Sequence, residues 1–215
     1  MAQRRAPQRT TAAIQSPGQS TRETLLDVTV GLIDARGEWG VKLEDVLEQS
    51  GASASSVYHH FGNLRGLVEE AQVRRFMEAR YFDVVHFRDG VASVSTRAEL
   101  RALLDSYLRG LLAESRRSGR ARRLSALASS QHNPEMRARL SGVERESLDD
   151  IVAGLGHLQE RGLIGPDVDT VAVAAVASGM LFSRSLTELI GDATLQDRWD
   201  ETVVRIVMRE LGLGD

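Results

Sequence analysis

Cysteine is absent from this chain. That removes disulfides, thiolate nucleophiles and cysteine-based metal sites, and it suits a cytoplasmic protein. Aromatic residues are sparse, at 5% of the composition, and Lys42 is the only lysine, so nearly all positive charge is guanidinium. Long apolar runs are also missing. The longest, from Val171 to Phe182, spans twelve residues and contains Ser178 and Gly179, against the roughly 20 that a membrane-crossing helix requires. The first residues carry Arg4, Arg5 and Arg9 with no apolar stretch beside them, which does not read as a signal peptide. Catalytic patterns are lacking as well: there is no Ser-His-acid or paired-carboxylate constellation, no metal-ligand spacing and no phosphate loop. His86, His132 and His157 stand alone. The expectation is a protein without enzymatic activity, cofactor, metal or membrane partner.

What is present is an ordinary globular composition over 215 residues, 42% hydrophobic and 27% charged, with a net charge of −3. Such a balance argues against a wholly basic nucleic-acid binder, but it leaves room for one small basic surface, because local charge decides phosphate contacts. Residues 1–19 hold three arginines, Pro7, Pro17 and no acid. They read as a basic arm, either a plain leader or a source of phosphate and minor-groove contacts. Residues 20–66 and 67–215 read as two further domains.

Beyond the arm the periodicity is helical throughout, and an all-α chain of about nine helices is predicted. Ser20 and Glu23 have capping-box spacing, Leu25, Leu26, Thr29, Leu32 and Ile33 share a face, and Gly37 ends the first helix. Trp39 is expected to plug the small core. A second helix covers about Leu43–Gln49, and Gly51 turns the chain. Ser53 is a good N-cap for a third, reaching about His60. A fourth starts after Asn63 and extends to about Phe82. Later helices are predicted over about Glu99–Ser115, Arg120–Ser130, Asn133–Arg161, Asp167–Ile190 and Thr194–Leu211, with Asn133-Pro134 as an N-cap and first-turn proline.

The stretch from Lys42 to Leu67 is the most informative. Helix, tight turn and helix within about twenty residues is the arrangement that delivers a helix to the DNA major groove. Leu43-Glu44-Asp45-Val46, Gly51-Ala52-Ser53, Ser56-Val57-Tyr58-His59-His60-Phe61 and Leu67 resemble the TetR family of transcriptional repressors, specifically over about residues 20–70. Three positions depart from the family pattern: Lys42 where threonine often caps helix two, Ser55 where glycine is common, and Leu64-Arg65 where lysine and glutamate often follow the turn. Leu64 cannot contact a phosphate; Arg65 can do so from the next position.

The resemblance implies site residues. Ser53, Ala54, Ser55 and Ser56 would lie at the groove, with Ser55 and Ser56 donating and accepting hydrogen bonds. Tyr58 would reach a phosphate, His59 a base or phosphate, and Lys42 and Arg65 phosphates, while Val57 and Phe61 point inward. His60 reads as a packing histidine. From Thr21 to Arg65 the acids outnumber the bases, so the arm should carry a disproportionate share of non-specific affinity. The resemblance also implies a homodimer on a pseudo-palindromic operator. Ala175, Ser178, Gly179 and Phe182 of the small-residue helix would join Trp199, Val203 and Ile206 of the last helix in a bundle across a two-fold axis. It implies further that a small, predominantly hydrophobic effector enters a C-terminal pocket and releases the operator. Candidate lining residues are the aromatic or polar ones at apolar positions: Phe82, Phe87, Tyr107, His132, His157, Met180 and Phe182. A regulator answering to a protein partner, or to no ligand, is the alternative. The cluster Arg116, Arg117, Arg120, Arg122, Arg123 reads as a solvated helix start, or otherwise as an anion- or DNA-facing patch.

Overall fold

The computed structural model describes residues 20–214, except the side chains of residues 80–86; the arm of residues 1–19 and the Phe82 side chain lie outside that range. The described residues form nine α-helices and three single-turn 3₁₀ segments, with no strand: α1 (Thr21–Arg36), α2 (Leu43–Ser50), α3 (Ala54–Phe61), α4 (Leu64–Ser93), α5 (Arg97–Leu112), α6 (Arg117–Ser129), α7 (Pro134–Glu160), α8 (Thr170–Ile190) and α9 (Ala193–Glu210). The chain divides into two compact units, one up to Gln72 and one from Val73. The predicted all-α class is the fold observed.

In the first unit local sequence explains each boundary. The Ser20 hydroxyl accepts from the Glu23 amide at 3.3 Å, starting α1, and Gly37, at φ 74°, ends it. Leu25, Leu26, Leu32 and Ile33 of α1 pack with Val46 of α2, Val57 of α3, and Leu67 and Ala71 of α4. Arg36 pairs with Asp45 at 2.7 Å, holding α1 to α2. Trp39 does not plug this core: it is 94% exposed, while Val41 two residues later is buried. The 3₁₀ turn Glu38–Gly40 explains the difference. It points Glu38 at Gln72, whose amide donates to it at 2.8 Å, and leaves the indole outside.

The second unit is built on α5, α7, α8 and α9, with Leu100, Leu104, Leu158, Ile164, Val204 and Leu211 among its buried residues. α4 reaches Ser93 rather than ending near Phe82, because Phe87 and Val91, one turn apart, both bury their side chains in this core. Gly90 permits the close approach there: a Cβ would sit 2.8 Å from Leu103 Cδ1. α5 opens with a reciprocal capping box between Thr96 and Glu99.

Charge is also buried here. Arg120, on α6, donates through Nε to Glu188 Oε1 at 3.0 Å and through Nη1 to the Leu111 carbonyl at 2.7 Å. Arg184 donates to Asp200 Oδ1 at 2.6 Å and lies 3.7 Å from Glu188. Arg120, Arg184 and Glu188 are all buried. The arginine cluster is therefore not uniformly solvated, since Arg120 and Arg123 have turned inward to acids on α8 and α7. By length and composition alone α8 is apolar enough to cross a membrane, more so than its longest uninterrupted apolar run suggests. Its buried Arg184 and Glu188 are instead bonded within the packed unit.

Candidate nucleic-acid interface

α2 ends where Gly51 adopts φ 67° and donates its amide to the Leu47 carbonyl at 3.0 Å. A side chain there would be strained, so glycine makes the turn short. Two residues on, the Ser53 hydroxyl accepts from the Ser56 amide at 3.2 Å and opens α3. The same oxygen lies 2.7 Å from Ser55 Oγ and 3.0 Å from Ser56 Oγ, so the three hydroxyls form one local set at the start of the helix. The Ser55 and Ser56 hydroxyls can exchange their bonds to Ser53 for base edges or phosphate oxygens at little cost.

One face of α3 holds the helix in place. Val57 is 1% exposed, worth about 1.5–3 kcal/mol relative to an exposed side chain. Phe61 packs on the same cluster with the Arg22 guanidinium 5.4 Å above its ring. The other face is open: Ser55, Tyr58, His59 and His60 are all exposed, Tyr58 by 57%. The exit is equally defined. Gly62, at φ 75°, closes α3 onto the Tyr58 carbonyl, and Asn63 Oδ1 accepts from the Gly66 amide at 2.9 Å to start α4. A Cβ on Gly66 would lie 2.2 Å from the Phe61 carbonyl oxygen, so α4 abuts the end of α3 without intervening side chain.

Electrostatics distinguish the basic residues of this unit. Arg22 pairs with Glu70, Arg36 with Asp45, and Arg65 with Glu69 at 2.8 Å. Lys42, exposed at the N-cap position of α2, forms no ion pair among the described residues. Its charge is uncompensated at the helix end whose partial charge is already positive.

A helix-turn-helix with one anchored and one open face, flanked by a cationic helix end, defines a DNA-binding regulator. Similarity to known proteins agrees. The model of the bacterial regulatory proteins of the tetR family matches residues 25–71. The HTH-type transcriptional regulator BetI of Stenotrophomonas maltophilia is 30% identical over 169 residues, spanning 77% of this chain and 81% of that protein. The chain belongs to the tetR family of transcriptional regulators, and is a DNA-binding protein rather than an enzyme. In fold it resembles Salmonella enterica GusR (TM-score 0.67, 20% identity, 92% of this chain and 98% of that one). It also resembles a regulator from Saccharomonospora viridis in complex with choline (TM-score 0.65, 20% identity, 85% and 92%).

The second unit holds a partly open cavity of about 80 Å³. Phe87, Leu104, Tyr107, Ile151, Leu155 and Leu181 contribute apolar walls, and Arg123, Glu144, Ser147 and Ser178 the polar ones. The Phe87 and Tyr107 rings touch, with centroids 5.4 Å apart. Other expected lining residues lie elsewhere. His132 is exposed in a 3₁₀ turn after α6, and the His157 side chain is 56% exposed beside Glu160. Met180 packs against the main core, and Phe182 covers the Arg123 guanidinium at 4.7 Å rather than lining the space itself. Arg123, Glu144 and Ser147 had no signal in the apolar pattern that singled out the aromatics; they come together only because α6 packs near α7. Of the expected dimer residues, Val203 is 2% exposed and belongs to the protomer's own core, because α9 turns Val203, Val204, Val207 and Met208 toward it. Ser178 lines the cavity. Ala175 and Gly179 are exposed, and Phe182, Trp199 and Ile206 half-buried.

Proposed function

We propose that the protein is a homodimeric cytoplasmic repressor that holds a pseudo-palindromic operator and leaves it when a small, mostly apolar effector occupies the cavity. The open face of α3 carries this reading: Ser55, Tyr58 and His59 stand clear of the core, and Lys42, exposed at the start of α2, forms no ion pair among the described residues. In it Ser53, Ala54, Ser55 and Ser56 meet base edges and adjacent phosphates, and Tyr58, His59, Lys42 and Arg65 grip the backbone and rim. Dimerisation is supported by the apolar surface of α8. Leu186, Leu189 and Ile190 are 63%, 84% and 65% exposed, beside the small residues Ala175 and Gly179. Apolar exposure on that scale in one helix marks an association surface. Two α3 helices related by a two-fold axis then read half-sites about one helical turn, roughly 34–36 Å, apart.

The effector part of the reading is supported by a cavity that is apolar with a few polar groups, the usual composition of a ligand site. Release requires that the effector bind the DNA-incompetent state more tightly. A mobility-shift assay on the DNA upstream of the protein's own coding sequence tests the head. A Tyr58→Ala, His59→Ala variant that stays dimeric by light scattering should lose the shift. A full shift at wild-type protein concentrations would refute the assignment.

A further inference from the structure

Two polar atoms of residues that line the cavity have no partner. Ser147 Oγ and Arg123 Nε are buried from solvent and make no hydrogen bond. Ser147 itself is 7% exposed. In a helix a serine hydroxyl can usually donate to a carbonyl one turn back, yet here it does not. A buried donor left unpaired is costly, and a native protein that keeps one at a cavity wall is prepared for something that arrives.

The charge at that wall is already balanced. Arg123 Nη2 donates to both oxygens of Glu144, at 2.8 and 2.9 Å, and the Arg123 guanidinium is flanked by the Phe76 and Phe182 rings at 5.3 and 4.7 Å. Glu144 and Ser147 are three residues apart on α7 and share a face. The polar end of the cavity is thus an internally neutralised ion pair with two spare donors. An entering carboxylate would be repelled by the Glu144 carboxylate already at that wall. An entering ammonium would have to share Glu144 with the Arg123 guanidinium, which repels it. The two aromatic rings on the wall, Phe87 and Tyr107, are in contact with each other rather than arranged around a gap. An uncharged group that accepts hydrogen bonds meets neither penalty.

Resting on the effector reading above, we infer that the cavity selects an uncharged molecule with an apolar body and one hydrogen-bond-accepting oxygen (a ketone, ester or lactone carbonyl), toward which the Ser147 hydroxyl turns by rotation about its side chain. The space of about 80 Å³ suits a small ligand.

Three probes of matched size separate the classes by ligand-observed NMR titration of the full chain: 2-hexanone, hexanoate and choline. The ketone should bind at least tenfold more tightly than either charged probe. Ser147→Ala should weaken the ketone roughly five- to tenfold, the worth of one hydrogen bond, with an unchanged far-UV spectrum. Glu144→Gln, which uncovers the Arg123 charge, should shift preference toward hexanoate. Tighter binding of hexanoate or choline to the wild-type protein, ketone affinity indifferent to Ser147→Ala, or no binding by any probe overturns the inference. Operator release is scored separately. If the ketone binds in a Ser147-dependent way and the DNA complex persists, the ligand class stands and the effector reading falls.

Discussion

Removing the Glu188 carboxylate should be among the most damaging single changes to the second unit. Glu188 is 7% exposed, accepts from Arg120 and lies 3.7 Å from Arg184, itself 3% exposed. Glu188→Ala leaves two buried guanidinium groups short of a counter-charge. Breaking a buried pair from one side costs about 3–5 kcal/mol, mostly because the surviving charge stays desolvated. The arginines keep some compensation here: Arg120 still donates to the Leu111 and Ala113 carbonyls, and Arg184 still holds Asp200. The lower end, about 3 kcal/mol, is therefore expected. For a chain of this size that lowers the thermal midpoint by about 6–12 °C. The assay is thermal unfolding followed by circular dichroism at one fixed protein concentration, since oligomerisation couples stability to concentration. Glu201→Ala is the control. Its partner Arg109 is reached across solvent, with side chains 44% and 61% exposed, and water and salt screen the pair so that its loss should shift the midpoint little. Replacing Arg120 by Met and Glu188 by Leu together should recover only part of the loss, because it removes the stranded Arg120 charge but leaves Arg184 without Glu188 and the Leu111 and Ala113 carbonyls without that donor. A Glu188→Ala midpoint no lower than that of Glu201→Ala would refute the reasoning.

Lys42→Gln should weaken binding to specific and random DNA alike, and should flatten the slope of log affinity against log salt by about 0.9 for each phosphate that Lys42 neutralises; an unchanged slope would mean that it touches no phosphate. The Glu99 carboxylate accepts from the Ser95 and Thr96 amides, at 2.7 and 3.1 Å, which hold its pKa below the ordinary value. A group lowered in the folded state contributes stability that is present above its unfolded pKa and is lost as pH falls through the lowered one. Acid unfolding curves of wild type and Glu99→Gln should therefore converge toward low pH and separate above the ordinary glutamate range. Parallel curves would count against the cap.

The all-α class and the head were legible because local rules place them. Ser20, Gly37, Gly51, Ser53 and Asn133 act through hydrogen bonds and dihedrals spanning a few residues, and each stands at the helix boundary expected of it. The burial of Val57 and the exposure of Tyr58 are what the family resemblance implied. Trp39 shows where this stops. Large and apolar, it reads as core, but a 3₁₀ turn and the Glu38–Gln72 contact turn it outward. The arginine cluster stops for a similar reason: the inward turn of Arg120 and Arg123 depends on acids 68 and 21 residues away.

The sequence by itself determined that this is a helical protein with a DNA-reading head, because capping, turn chemistry and periodicity are short-range effects. The tertiary structure alone decided what the second unit can recognise. Phe87, Arg123 and Ser147 lie on three different helices with unremarkable local surroundings, and only the packing of those helices brings an apolar wall, a neutralised charge and an unpaired hydroxyl to one cavity. Side chains far apart in the chain acquire a shared chemistry only when their helices exclude water between them.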